Sequence, residues 1–187
     1  MKTILSVASV ITAFLLAAPP AHGQTVTIAT DLLKDWQAQK QTMMKIADAM
    51  PAEKFDYKST PAQRNYGEQI LHVAGANYML LKFVGAKNAP AAPPLAERDL
   101  STFGLKATSK AEILKLLSDS YDYGEAVIKE FTAAQMLETI QGPPWIREAT
   151  RAKMIYYVLG HTQDIYGQMA VYLRLNGLVP PASQRGI

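Results

Sequence analysis

The sequence predicts an all-α protein: a four-helix bundle with a long connection between its second and third helices. Three observations carry this. Apolar residues recur at three- and four-residue spacing in four long stretches, and no stretch sustains an apolar-polar alternation. Helix-start patterns stand before two of the stretches, at Asn65-Tyr66-Gly67-Glu68 and Ser109-Lys110-Ala111-Glu112. In both, the first side chain would accept from the backbone and the glutamate would reach back. Proline or glycine closes three of them, at Pro51, Gly85 and Gly177.

The N-terminus reads as a secretory signal peptide, residues 1–23. Met1-Lys2 is a positive start and Thr3 to Ala18 a mostly apolar run. Pro19-Pro20 breaks that run, and Ala21 and Gly23 put small residues at a cleavage site before Gln24. The run is short for a membrane span of about 20 residues. An exported protein, periplasmic or secreted and free of the membrane after cleavage, is therefore expected, with residues 24–187 as its single domain.

The first helix is expected from Ile28 to Met50, on Leu32-Leu33, Trp36, Met43-Met44 and Ile46, with Thr30-Asp31 as an alternative start. Ala52 to Gln63 then connects, and Phe55 and Tyr57 are its expected anchors. The second helix runs from the Asn65 cap to about Val84 and carries His72, with small Gly75 and Ala76 leaving room beside the imidazole. Asn88 to Pro94 is an Ala- and Pro-rich surface loop. The third helix follows Ser109, with Ile113, Leu116-Leu117, Tyr121, Val127 and Phe131 on one face. Ala133 to Gly142 is a connection, partly helical or holding a short paired segment. Pro143-Pro144 marks the expected entry to the last helix, Ile146 to Asn176, and Pro180-Pro181 prevents its continuation.

At 187 residues and 49% hydrophobic content, the chain supplies one real core. Without Lys2, 18 basic residues face 16 acidic ones, with no run of like charge, which argues against nucleic acid as a partner. There is no cysteine, so disulfides, thiolate catalysis and haem attachment through Cys are all excluded. No nucleophile elbow and no phosphate-binding glycine loop is present.

The chemistry-bearing residues are then few. Beyond His22 of the leader, the histidines are His72 and His161, each on an expected helix. His161, Asp164, Ile165 and Gln168 fall at i, i+3, i+4 and i+7, on one side of the last helix. A bundle brings such helices face to face, so His72, His161 and Asp164 make a candidate open site for a divalent metal. Tyr157 and Gln168 are candidate hydrogen-bonding supports. The bland alternative is a pair of hydrogen-bonded core histidines. Di-iron bundles of the Glu-x-x-His type are excluded, since Gln69 and Val158 stand three residues before the two histidines.

From about Leu32 to Ser183 the chain resembles the DinB/YfiT-like superfamily of metal-binding four-helix bundles. The carrying stretches are Ala49-Met50-Pro51-Ala52-Glu53-Lys54-Phe55-Asp56-Tyr57, Tyr66 to Ala74, His161 to Gln168, Val171 to Gly177 and Val179-Pro180-Pro181. The resemblance implies a divalent ion, zinc or nickel, held by a histidine of the second helix and a His-x-x-x-His pair of the last. His72 and His161 match the first two positions, and Ile165 stands where the third histidine belongs. Asp164 is its neighbour, about 100° round the helix. The family's activities include thiol transfer and related hydrolase or isomerase chemistry, in which the metal acidifies a bound thiol or water. Two functions are expected from this: a metal-dependent hydrolase or transferase, or a bundle without catalysis that has lost its third ligand and binds a small molecule or a partner. Exposed helix faces also allow a homodimer.

Overall fold

The computed structural model describes residues 26–184; the expected signal segment, residues 1–23, lies outside the described residues. Four helices form the bundle: α1 (Ile28–Ala49), α2 (Tyr66–Leu81), α3 (Lys110–Lys129) and α5 (Arg151–Leu175). A one-turn helix, α4 (Ala133–Met136), precedes α5. Helices α2 and α1 each pack against both α3 and α5, so the chain neighbours α1 and α2 sit diagonally across the bundle. Among the described residues no helix is long and apolar enough to cross a membrane.

The helix starts follow from side-chain chemistry. Asn65 and Ser109 accept from the backbone N–H groups of Glu68 and Glu112, and both glutamates reach back, as expected. Thr27 and Thr30 form the same reciprocal box at α1, so that helix starts at Ile28 and not at the alternative Thr30-Asp31. Residues 82–84 tighten into a 3₁₀ turn after α2, and Gly85 takes φ +80°, the left-handed stop that glycine adopts without a Cβ clash.

Helix α2 is buried almost all round, whereas α1 and α3 bury one face. Trp36 of α1 fixes the spacing to α3. Its indole donates to Tyr121 O at 2.8 Å, and a Cβ added to Gly124 would lie 2.1 Å from the indole ring. Phe55 and Tyr57 do anchor the first connection, by edge-on packing against Tyr66 and Tyr172 respectively. That stretch carries the chain from α1 to the diagonal position of α2.

The last helix begins at Arg151, five residues later than the sequence reading placed it. Residues 139–141 (β1) and 148–150 (β2) pair as an antiparallel hairpin, with Ile140 opposite Ala149. Pro143-Pro144 lies in the hairpin loop, where Gly142 N–H donates to Arg147 O at 2.7 Å. Thr150 caps α5 by accepting from Lys153 N–H. Arg151 ties the unit down: it donates to Val84 O and Gln135 O, pairs with Glu138, and stacks its guanidinium on Phe131. The hairpin thereby projects Trp145, 60% exposed, beside the α2–α5 seam.

Candidate functional site

His72 and His161 meet where α2 packs on α5. Their Nε2 atoms are 3.1 Å apart, with the rings 69° out of plane. The partner of His72 Nδ1 is the carbonyl of Ser101, at 2.9 Å. A carbonyl only accepts, so Nδ1 carries the proton and Nε2 of the neutral ring is a bare lone pair. His161 therefore donates through Nε2–H. Burial pushes His72 down to about 4, with the nearby Arg64 and His161 adding to it, against the Ser101 carbonyl. Burial also lowers His161, against the pull of Asp164. Both rings are neutral at pH 7, the form in which imidazole ligates a metal.

The support beneath His72 comes from the loop after α2. Phe103 stacks on the imidazole with centroids 5.4 Å apart. The space expected beside Gly75 is thus filled, since a Cβ there would lie 2.6 Å from the Phe103 ring. Phe103 has φ +55°, unusual for a bulky side chain. Asp99 enforces that turn: its carboxylate accepts from the N–H groups of Ser101 and Gly104 and from the Thr102 hydroxyl. These bonds hold the Asp99 carboxyl below the usual carboxylate range.

The four residues of α5 expected on one side divide. His161 and Gln168 are half-buried, Asp164 is exposed, and Ile165 is buried in the core at 2% exposure. The 100° between Asp164 and Ile165 turns one to solvent and the other inward. Asp164 accepts from Gln168 Nε2 at 3.1 Å, and Gln168 in turn accepts from Gln69 Nε2 at 3.0 Å. Among the described residues no three His, Asp or Glu side chains gather closely enough to hold a metal ion. Tyr157 lines the space beside the histidines, and neither ring nitrogen bonds to it.

A cavity of about 360 Å³ opens beside the pair. Arg64, His72 and His161 line it together with the apolar and aromatic residues Met79, Leu80, Leu100, Phe103, Trp145 and Tyr157. Arg64, just before the α2 cap, escaped the sequence reading. Only its place two residues ahead of Tyr66 and eight ahead of His72, about two helical turns away, could have signalled it.

The geometry defines a class: a four-helix bundle with a histidine pair, one member anchored to a backbone carbonyl, at the seam of its second and last long helices, beside an apolar cavity. The sequence model of the DinB superfamily matches residues 35–169, and the chain belongs to that superfamily. Solved structures share the fold. A DinB-like protein of Bacillus cereus is 19% identical, covering 84% of this chain and 96% of its own, with a TM-score of 0.68. The DinB-like protein YjoA of Bacillus subtilis is 16% identical over 83% of this chain and 99% of its own, with a TM-score of 0.60. YfiT of Bacillus subtilis, described as a probable metal-dependent hydrolase with an unusual four-helix bundle topology, is 14% identical. It covers 86% of this chain and 94% of its own, with a TM-score of 0.59. No curated protein matches the sequence significantly.

Proposed function

We propose that this protein is an exported, divalent-cation-binding member of the DinB superfamily, with hydrolase or transferase chemistry centred on His72 and His161. One observation carries the proposal: two neutral imidazoles, one fixed through Nδ1 by a backbone carbonyl, present their Nε2 atoms to one another at 3.1 Å. Two nitrogens bound to one tetrahedral zinc at about 2.0–2.1 Å stand roughly 3.3 Å apart, so the pair fits a shared ion with little movement. His72 is already in the ligating tautomer. His161 needs only to move its proton from Nε2 to Nδ1. A bound cation would acidify a water or a substrate thiol beside the cavity. With Ile165 in the core, two protein nitrogens would hold the ion and the remaining positions would fall to water, Asp164 or substrate.

The buried Ile165 and the apolar cavity support a second reading, a bundle that binds a small molecule without catalysis. Elemental analysis separates the two when run on residues 24–187 purified without a metal-affinity tag. Near-stoichiometric zinc or nickel, a melting temperature lowered by chelator, and loss of both in His161→Ala are the expected results. Protein that stays metal-free after zinc and nickel are added supports the second reading and rejects the first.

A further inference from the structure

The cavity has a charge at its edge that no carboxylate among the described residues pairs with. Arg64 carries five N–H donors. Two are committed to uncharged acceptors, the Leu100 carbonyl at 2.8 Å and Gln69 Oε1 at 3.4 Å. Nε is buried with no hydrogen-bond partner. No carboxylate lies within ion-pair distance of Arg64 among the described residues. The nearest acids are already in use. Asp99 is wrapped by its own turn, and Glu68 caps α2 through Asn65 N–H at 2.7 Å. The arginine is also held in place. Tyr172 OH donates to its carbonyl at 2.6 Å, fixing the backbone, and Leu100, which receives the guanidinium, belongs to the loop that supports His72.

A half-buried guanidinium with unfilled donors is matched best by an oxyanion, which it can grip through two N–H groups at once. The rest of the wall is apolar and aromatic, and the cavity is at the small end of ligand sites. We propose that Arg64 is the anion-recognition residue of this site. Its ligand class is a small organic acid: one carboxylate set on Arg64 and a compact apolar or aromatic body against Trp145, Tyr157 and Leu100, directed towards His72 and His161. This rests on the cavity being the functional site and names what that site selects. It does not require the metal.

Charge and shape separate cleanly in a calorimetric titration of the full mature chain. The probes are benzoate, 2-naphthoate and octanoate, each beside its neutral alcohol, with inorganic phosphate as a bare anion. At least one acid should bind about tenfold or more tighter than its alcohol, the difference expected from a charge-assisted hydrogen bond. Arg64→Gln should bring that acid down to the level of the alcohol, and Arg64→Lys should fall between. Melting temperature and circular dichroism report whether each variant folds; should Arg64→Gln misfold, the acid-to-alcohol ratio of the wild type and of Arg64→Lys still decides. Acids that bind no better than their alcohols, an unchanged Arg64→Gln, or phosphate competing as well as the best acid would each overturn the proposal. Repeating the titration after chelation keeps the two ideas apart. Acid selectivity lost in Arg64→Gln but kept without metal would uphold the arginine while the metal reading fails.

Discussion

Two groups of polar side chains interrupt the apolar interior of this bundle, and comparison of the two shows what distinguishes a site from a structural polar core. The first is sealed. Gln39, Asn77, Ser120, Tyr121 and Thr162, drawn from all four long helices, are each 5% exposed or less. Asn77 donates to Ser120 at 3.1 Å, Ser120 to Leu117 O at 2.7 Å, and Thr162 to Val158 O at 2.8 Å. The Tyr121 hydroxyl faces Gln39, Asn77 and Thr162, and burial raises its pKa far above that of an exposed tyrosine. The second group, His72, His161 and Arg64, stands at the wall of a cavity and leans on a loop outside the helices. Polar groups that face one another across helices fix register and orientation. In the second group His72 is braced by the Ser101 carbonyl and Arg64 by the Leu100 carbonyl, and with His161 they line a cavity that can receive a ligand.

Three substitutions sharpen that contrast. The largest effect is expected from Ile165→His, which puts a polar ring at a 2%-exposed core position one turn from His161. Without metal it should lose about 3 kcal/mol of stability, through lost apolar burial and an unpaired polar group. Zinc at a hundredfold over its dissociation constant should return about 2.7 kcal/mol, provided the new ring reaches the shared ion. Paired denaturant melts with and without zinc measure both. Zinc affinity equal to that of the wild type would show that position 165 no longer addresses the pair.

Gly75→Ala should come next. Its Cβ would lie 2.6 Å from the Phe103 ring, so the loop must lift away from His72. Overpacking of this kind costs about 1–3 kcal/mol. Loss of the Ser101 contact should weaken zinc binding by about tenfold, as changes behind a ligand do. Stability falling without any change in zinc affinity would mean that the loop is only a lid over the core.

Thr162→Val alters the sealed group alone. It should cost about 1 kcal/mol, removing one side-chain hydrogen bond next to Tyr121, and should leave zinc affinity unchanged. A several-fold loss of affinity would show that the two polar groups are one network, and the contrast would fail.

Much of the scaffold was legible because its signals are local. The Asn65/Glu68 and Ser109/Glu112 caps, the Pro51 and Gly85 stops and the periodic faces each act within a turn or two of chain. The hairpin was legible only in part: a short paired segment was expected within Ala133 to Gly142, but its second strand fell inside the expected last helix, because three-residue strands are too short to show alternation and Pro143-Pro144 reads equally well as a helix entry. The meeting of His72 and His161 followed from helix geometry and the family pattern. The brace behind His72 did not, since Ser101 and Phe103 reach it only once Asp99 has folded the loop back on α2. Arg64 was missed for a related reason: its meaning lies in the lack of a carboxylate partner, which no linear spacing displays. Asp164 shows the limit of spacing arguments, because a residue three positions from His161 faces solvent while its neighbour Ile165 faces the core.

The central claim is that His72 and His161 form a pair ready to share a cation, and the ring nitrogens report it directly. With residues 1–23 removed, only these two histidines remain, so a long-range proton–nitrogen correlation spectrum shows two imidazoles and nothing else. In metal-free protein at pH 7, His72 should be protonated at Nδ1 and His161 at Nε2. On addition of one equivalent of zinc, His72 should keep its tautomer while His161 moves its proton to Nδ1, and both Nε2 signals should shift together. Two rings unmoved by zinc, or His72 found protonated at Nε2 in the metal-free protein, would contradict the account.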